Sequence, residues 1–209
     1  MSLRAASEIP DWLDVSRETL ERFAVLEALI RKWTPAINLV SKADVGQLWD
    51  RHILDSAQLF EMATEEVRIW ADLGSGSGFP GIVIAILARQ SHPELAVHLV
   101  EADRLKASFL AQAVRHLDLR CVLHVARIES LPPLAADIVS ARALATLPEL
   151  CRYAHRHLSA AGTALFMKGE GVDAEILACG TSWQMALERQ QSRTRPGGVI
   201  LKIKDLRHV

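Results

Sequence analysis

Three features of this chain are spaced for chemistry on a small ligand: a run of glycines, an acid that follows it, and an arginine further on. The run is Asp72-Leu73-Gly74-Ser75-Gly76-Ser77-Gly78-Phe79-Pro80-Gly81. Residues 67–71 before it are short and apolar with two β-branched positions, and residues 82–88 after it are apolar enough for a buried helix. The order predicts strand, glycine turn, helix. Glycine at alternate positions removes Cβ atoms where the chain turns sharply and a ligand approaches its backbone. Pro80 suits the first turn of a helix, where its missing N–H is no loss.

Two ligands compete for this turn. Read as Gly76-Ser77-Gly78-Phe79-Pro80-Gly81, it matches the dinucleotide fingerprint G-x-G-x-x-G, which places a pyrophosphate at the helix N-terminus and would make the protein an NAD-dependent oxidoreductase. With the strand ending at Leu73, the register becomes an acid, an apolar residue and G-x-G-x-G. That register resembles the S-adenosylmethionine (SAM) loop of class I methyltransferases, where an acid at the strand end faces a cationic, phosphate-free ligand. Asp72 beside a pyrophosphate is electrostatically unfavourable, so SAM is the better expectation. Asp72, Gly74, Gly76, Gly78 and Phe79 are then its candidate contacts.

The elements that must position such a site follow in regular alternation. Strands are expected at 95–100, 120–125, 136–140 and 162–168, with helices at 104–117 and 147–158, a right-handed parallel α/β pattern with helices on both faces. Two last strands, 182–189 and 197–203, are joined by a polar turn too short for a helix and should pair antiparallel. Upstream, 11–32 reads as a helix stopped by Pro35, and 44–62 as a second helix capped by Asp44. On that helix Arg51 and Asp55 are four apart and can pair on one face. The organisation expected is an N-terminal helical extension, 1–66, packed on a Rossmann-like domain, 67–209.

In such a sheet ligands lie beyond the carboxyl ends of the strands. The second strand delivers Glu101 there, at the spacing from the glycines where an acid accepts both ribose hydroxyls. The third delivers Arg127-Ile128-Glu129, where Ile128 can pack an adenine face and Glu129 or a backbone N–H can read its edge. The fourth delivers Ser140-Ala141-Arg142 and sets Arg142 where a methyl donor and its acceptor would meet. The Asn/Asp-Pro-Pro-aromatic motif of exocyclic-amine methyltransferases is missing after this strand. No cysteine stands there to attack a base carbon.

Composition sets the bounds. The chain has 209 residues, half of them hydrophobic and 23% charged, with a formal net charge of −1. That describes one globular α/β unit without the global basic signature of many nucleic-acid binders, so an RNA partner must use a local patch. The three cysteines form no C-x-x-C, and the eight histidines fall in no metal-ligand pattern; buried thiols and no metal are expected. The N-terminal residues 1–8 lack the apolar core of a signal peptide and no apolar run spans a bilayer, which points to a cytoplasmic protein without a membrane partner.

Asn38-Leu39-Val40-Ser41, Arg51-His52-Ile53-Leu54-Asp55-Ser56, the glycine run, residues 106–110, Arg127-Ile128-Glu129, Ser140-Ala141-Arg142-Ala143 and Met167-Lys168-Gly169 stand in a familiar order and spacing. Together they resemble the bacterial 16S ribosomal RNA guanine-N7 methyltransferases, also called glucose-inhibited division protein B, over nearly the whole chain. The resemblance implies a class I SAM-dependent methyltransferase fold and no metal. Its cofactor contacts carry over to Gly74, Phe79, Glu101, Ile128, Glu129 and Arg142. It also implies 16S rRNA or the small ribosomal subunit as partner, the guanine at position 527 as target, and a monomer. Glu101 stands where the family often has Asp, which keeps the carboxylate and adds a methylene. Candidate RNA contacts are Lys42, Arg51, His52, Lys168, Arg193 and Arg195, with Arg31 and Lys32 nearby.

Overall fold

The computed structural model describes residues 8–209; the N-terminal stretch read for a signal peptide lies almost wholly outside them. Seven strands form one sheet in the order β3-β2-β1-β4-β5-β7-β6. They are β1 (Ile69–Leu73), β2 (Ala96–Val100), β3 (Cys121–His124), β4 (Ala136–Arg142), β5 (Leu158–Lys168), β6 (Trp183–Gln191) and β7 (Val199–His208). The pairs β1/β2, β1/β4, β2/β3 and β4/β5 are parallel, while β7 runs antiparallel between β5 and β6. The expected antiparallel final pair is therefore present, with its second member inserted next to β5.

Side chains alternate across the sheet and divide it between two cores. Trp70, Val97, Leu99, Ile138, Leu165 and Ile200 face one core, which is closed by α1 (Arg17–Ile37), α3 (Gly81–Ser91) and α4 (Arg104–His116). Ala71, Val100, Val139, Phe166 and Leu201 face the other, closed by α5 (Leu147–His157) and α6 (Val172–Cys179). Phe23, Leu26 and Ile30 of α1 share the first core with Ile82, Phe109 and Leu110, so the N-terminal helix is packed on the sheet layer. Among the described residues no helix is long and apolar enough to cross a membrane.

The N-terminal region departs from expectation in three ways. The first helix spans Arg17–Ile37 instead of 11–32: Ser16 caps it by accepting from the Thr19 N–H at 3.2 Å, and Pro35 lies inside it. Pro35 is exposed and removes only one late helical bond. Trp33 and Ile37 pack on the core and carry the helix through to Asn38, whose left-handed φ of 50° ends it.

Residues 44–62 are not one α-helix but a 3₁₀ turn (Asp44–Gln47), a π-helical stretch (Trp49–Leu54), the short α2 (Asp55–Ala57) and another 3₁₀ turn (Phe60–Met62). Asp44 caps nothing. Nor do Arg51 and Asp55 pair: π-helical bonds run i to i+5, so residues four apart no longer stack. Arg51 reaches back to Asp44 at 3.0 Å, and Asp55 faces the other way. The helix α6 was not expected from the sequence.

Asp55 pins this irregular segment to the far end of the chain. Its carboxylate, nearly buried, accepts from Ser192 Oγ (2.8 Å), Thr194 Oγ1 (3.0 Å) and Gln58 Nε2 (2.9 Å), and stands 3.8 Å from the Arg142 guanidinium. Removing it strands three donors and a buried cation. Asp55→Ala should cost about 3–5 kcal/mol in urea denaturation, with Asp55→Asn milder because the amide oxygen still accepts.

Candidate active site at the switch point of the sheet

The strand order reverses between β1 and β4, and the crevice beyond their carboxyl ends is where open α/β sheets hold ligands. On the β1 side the chain leaves Leu73 into the glycine turn. Gly74 has φ 68° and Gly78 φ 89°, conformations that exclude most side chains. A Cβ on Gly74 would lie 2.6 Å from Leu144 Cδ1, so the space beside this glycine is occupied by protein. Glycine here serves close packing of the turn on the β4–α5 connection as well as any approach by a ligand.

Asp72 points into the protein. It is fully buried, and its carboxylate accepts from Ser140 Oγ at 2.8 Å and from the Gly81 N–H at 3.1 Å. Ser140 Oγ in turn accepts from Trp70 Nε1 at 2.9 Å. The side chain points under the turn because residues 70 and 72 share a face of β1, so Asp72 holds the turn and β4 together from below. Burial pushes its pKa up to about 6, against the lowering effect of its hydrogen bonds.

Glu101 lies just past β2, with Oε2 accepting from the Gly76 N–H and Oε1 from the Asp103 N–H, both at 2.8 Å. A carboxylate has about four acceptor sites, so two remain. Ile128 is buried in a 3₁₀ turn, while Glu129 beside it is exposed and pairs with Arg127 at 3.1 Å. Ile128 packs in the second core. The Glu129 carboxylate is directed to Arg127.

Arg142 is the last residue of β4. Its Nη2 donates to the Arg51 carbonyl at 2.9 Å, and its buried Nη1 has no hydrogen-bond partner. Burial lowers the guanidinium's pKa, with Asp55 opposing, but an arginine stays charged. Next to Arg51, the His52 ring stacks on Phe79 of the glycine turn, centroids 4.9 Å apart and planes 22° from parallel. His52 Nε2 is likewise buried without a hydrogen bond, 4.0 Å from Asp44 Oδ2. Burial first, then the Arg142 charge, pushes this imidazole down to about 4. The π-helical stretch, the glycine turn and the end of β4 thus converge on one place that carries two unpaired polar groups.

The basic residues expected to form an RNA patch do not act alike. Lys168 Nζ is spent on Glu175 at 2.7 Å and on the Ala145 carbonyl at 3.0 Å. Arg193 makes a two-pronged bond with Glu61 and lies over the Trp12 ring. Both carry intramolecular carboxylate partners, Lys168 one seven residues on and Arg193 one 132 residues back. Lys42 and Arg195 are exposed, and Arg195 stands near enough for its charge to act on Arg142. Sequence reasoning missed Asp44 and Asp55 as partners of Arg51 and Arg142, and Ser140 as partner of Asp72. The motif Arg51–Ser56 was their only sign.

A profile of the rRNA small subunit methyltransferase G family matches residues 18–200. The chain belongs to that family. A ribosomal RNA small subunit methyltransferase G of Cereibacter sphaeroides is 53% identical over 197 residues, covering 94% of this chain and 96% of the relative. Among solved structures, a methyltransferase from Geobacter sulfurreducens covers 98% of both chains with a TM-score of 0.57 at 13% identity. TYW2 of M. jannaschii, solved in complex with AdoMet, covers 78% of both with a TM-score of 0.57 at 15% identity. At those identities the likeness is one of fold.

The neutral His52 has a consequence for stability. Its folded-state pKa lies below the ordinary 6.5, so its contribution is present above pH 6.5 and is lost as pH falls toward 4. Asp72, with its pKa raised, works in the opposite sense, its contribution falling as pH rises from about 4 to about 6. Replacing His52 removes only the first effect. Thermal melts should show His52→Gln losing less stability than the wild type between pH 7 and pH 5.

Proposed function

We propose that the protein transfers the methyl group of S-adenosylmethionine to N7 of a guanine in small-subunit ribosomal RNA, the base at position 527 by resemblance to its family. Membership of that family carries the ribosomal RNA and methyl-transfer parts of this reading. The observation that supports the rest is the convergence of His52, Phe79 and Arg142 on one end of the sheet, where the polar groups without a hydrogen bond are a permanent cation and an imidazole of lowered basicity.

The residues present fit the cofactor. Glu101 has acceptor sites left for the ribose hydroxyls, Gly76 and Phe79 line the turn above it, and Ile128 offers an apolar surface for the adenine. Arg142 Nη1 is an unpaired donor where a carboxylate or a base oxygen can be met. SAM supplies a methyl group activated by its sulfonium. The chain's task is then to orient and to exclude water. Guanine N7 carries an in-plane lone pair and no proton, so the N–C bond can form as the S–C bond breaks without a general base.

At the edge of the acceptor region stand a fixed cation, Arg142, and His52, an imidazole whose pKa is pushed down to about 4 and which is therefore neutral near pH 7. Neither titrates in the working range. Catalysis by alignment next to a permanent charge is what this arrangement supports. We place the reaction in the cytoplasm, where the ribosomal subunit is found. We read the working unit as a single chain: of the large exposed apolar side chains Leu105, Val122, Val125, Leu177 and Val209, only Val122 and Val125 are close in sequence.

Two measurements test this. Saturating S-adenosylhomocysteine should raise the melting temperature by the mass-action term while NAD leaves it unchanged, and Glu101→Gln should weaken that ligand by about 1.5–3 kcal/mol in calorimetry. A shift with NAD alone would restore the dinucleotide reading. The single-turnover rate on saturating RNA should stay nearly level from about pH 6.5 to 9, and Arg142→Ala should depress it at every pH. A rate climbing tenfold per pH unit would mean that a proton must leave first, and N7 would be the wrong atom.

A further inference from the structure

A cleft of about 530 Å³ opens in the N-terminal region, between the last turns of α1 and the segment that follows it. Its apolar wall is Pro35, Leu39, Val40 and Val45, and its polar groups are Arg31, Thr34, Asn38, Ser41 and Lys42. Two cations and no carboxylate line it. The fold builds it deliberately enough: Asn38 turns the chain out of α1 in a left-handed conformation, and Arg31 Nη1 clamps the far side by donating to the Val45 carbonyl.

The volume lies within the range of small-ligand sites, and apolar faces with a few hydrogen-bonding groups and a cationic rim suit a nucleotide: base against Pro35 and Val45, edge to Asn38 or Ser41, phosphate to Lys42. A chain of contacts joins this cleft to the candidate active site. Ser41 Oγ donates to Asp44 Oδ2 at 2.5 Å, and Asp44 Oδ1 pairs with Arg51 at 3.0 Å. The Arg51 carbonyl in turn accepts from Arg142 at 2.9 Å. The Ser41 hydroxyl holds the Asp44 carboxyl below its ordinary pKa, so the middle of the chain is anionic at neutral pH.

We propose that this cleft is a second RNA subsite, which takes one unstacked nucleotide near the target guanine and, through Ser41, Asp44 and Arg51, sets the position of Arg142. The inference rests on the reading of the protein as an RNA methyltransferase. Lys42 is then a phosphate contact that belongs to a built site, not a free surface charge.

The test is a cycle between protein and RNA. An RNA hairpin carrying the target guanine is prepared intact and with each neighbouring nucleotide replaced singly by an abasic one. Methylation is measured with the wild type and with Val45→Phe, which fills the cleft without changing charge. For the wild type, one abasic position should raise KM for RNA roughly tenfold, the scale of a single packed base. With Val45→Phe the intact hairpin should already show that rise, and the same abasic position should add nothing further. S-adenosylhomocysteine affinity should be unchanged by Val45→Phe, which separates an emptied subsite from a damaged fold. Lys42→Gln should reduce the slope of log affinity against log salt by about one contact.

Additive effects of Val45→Phe and every abasic position, or an unchanged KM with Val45→Phe, would overturn the subsite while leaving the methyltransferase reading intact. Absence of methylation of the intact hairpin and of the small subunit by the wild type would sink that reading itself.

Discussion

The switch-point end of the sheet hangs on one buried carboxylate. Asp72 sits in the core face of β1 with no access to water, and its two oxygens fasten the Ser140 hydroxyl of β4 and the Gly81 N–H at the start of α3. Burying a charge without partners is costly, and here the partners are the strand and the helix that must be held on either side of the glycine turn. A Cβ at Gly81 would stand 2.7 Å from Asp72 Oδ2, so that glycine is required by the carboxylate as much as by the turn. With β1, β4 and α3 locked, the short path from Gly74 to Gly78 has its ends fixed, and Phe79 is delivered to the ring of His52.

Most of the sheet was legible because its strands, buried on both faces, read as short continuous apolar runs between helical segments. Trp70 against Ala71 or Leu165 against Phe166 declares two buried faces, and only helices on both sides can bury both. The N-terminal segment was not legible, since its apolar spacing tolerates either helical period. What selects the π-helical stretch is tertiary: Arg51 must offer its carbonyl to Arg142 and its side chain to Asp44, while Asp55 must turn toward Ser192 and Thr194. Arg142 lies 91 residues from Arg51, and Ser192 lies 137 residues from Asp55. No local pattern encodes them.

The same limit explains the basic patch. Sequence shows where cations are but not which carboxylates fold against them, and a lysine or arginine is useful to RNA only if it is left over. Lys168 and Arg193 are consumed in holding the strand ends and the final turn. Arg142 is itself partly compensated by Asp55, and Arg51 by Asp44. In a chain with a net charge of −1, Lys42 and Arg195 are left exposed on separate segments, and Arg195 is close enough for its charge to act on Arg142.

That placement gives the electrostatics of the acceptor region a fixed character. Arg142 is buried enough for solvent to screen it poorly, and its charge helps to keep His52 neutral, as does the burial of the imidazole against Phe79. An imidazole held near pKa 4 is a poor proton acceptor at neutral pH, although its residue type would nominate it as a general base. The ring contributes shape and a hydrogen-bonding edge instead. On the proposed reading, an acceptor atom with no proton to lose, such as guanine N7, suits this site better than an exocyclic amine, whose proton would need somewhere to go.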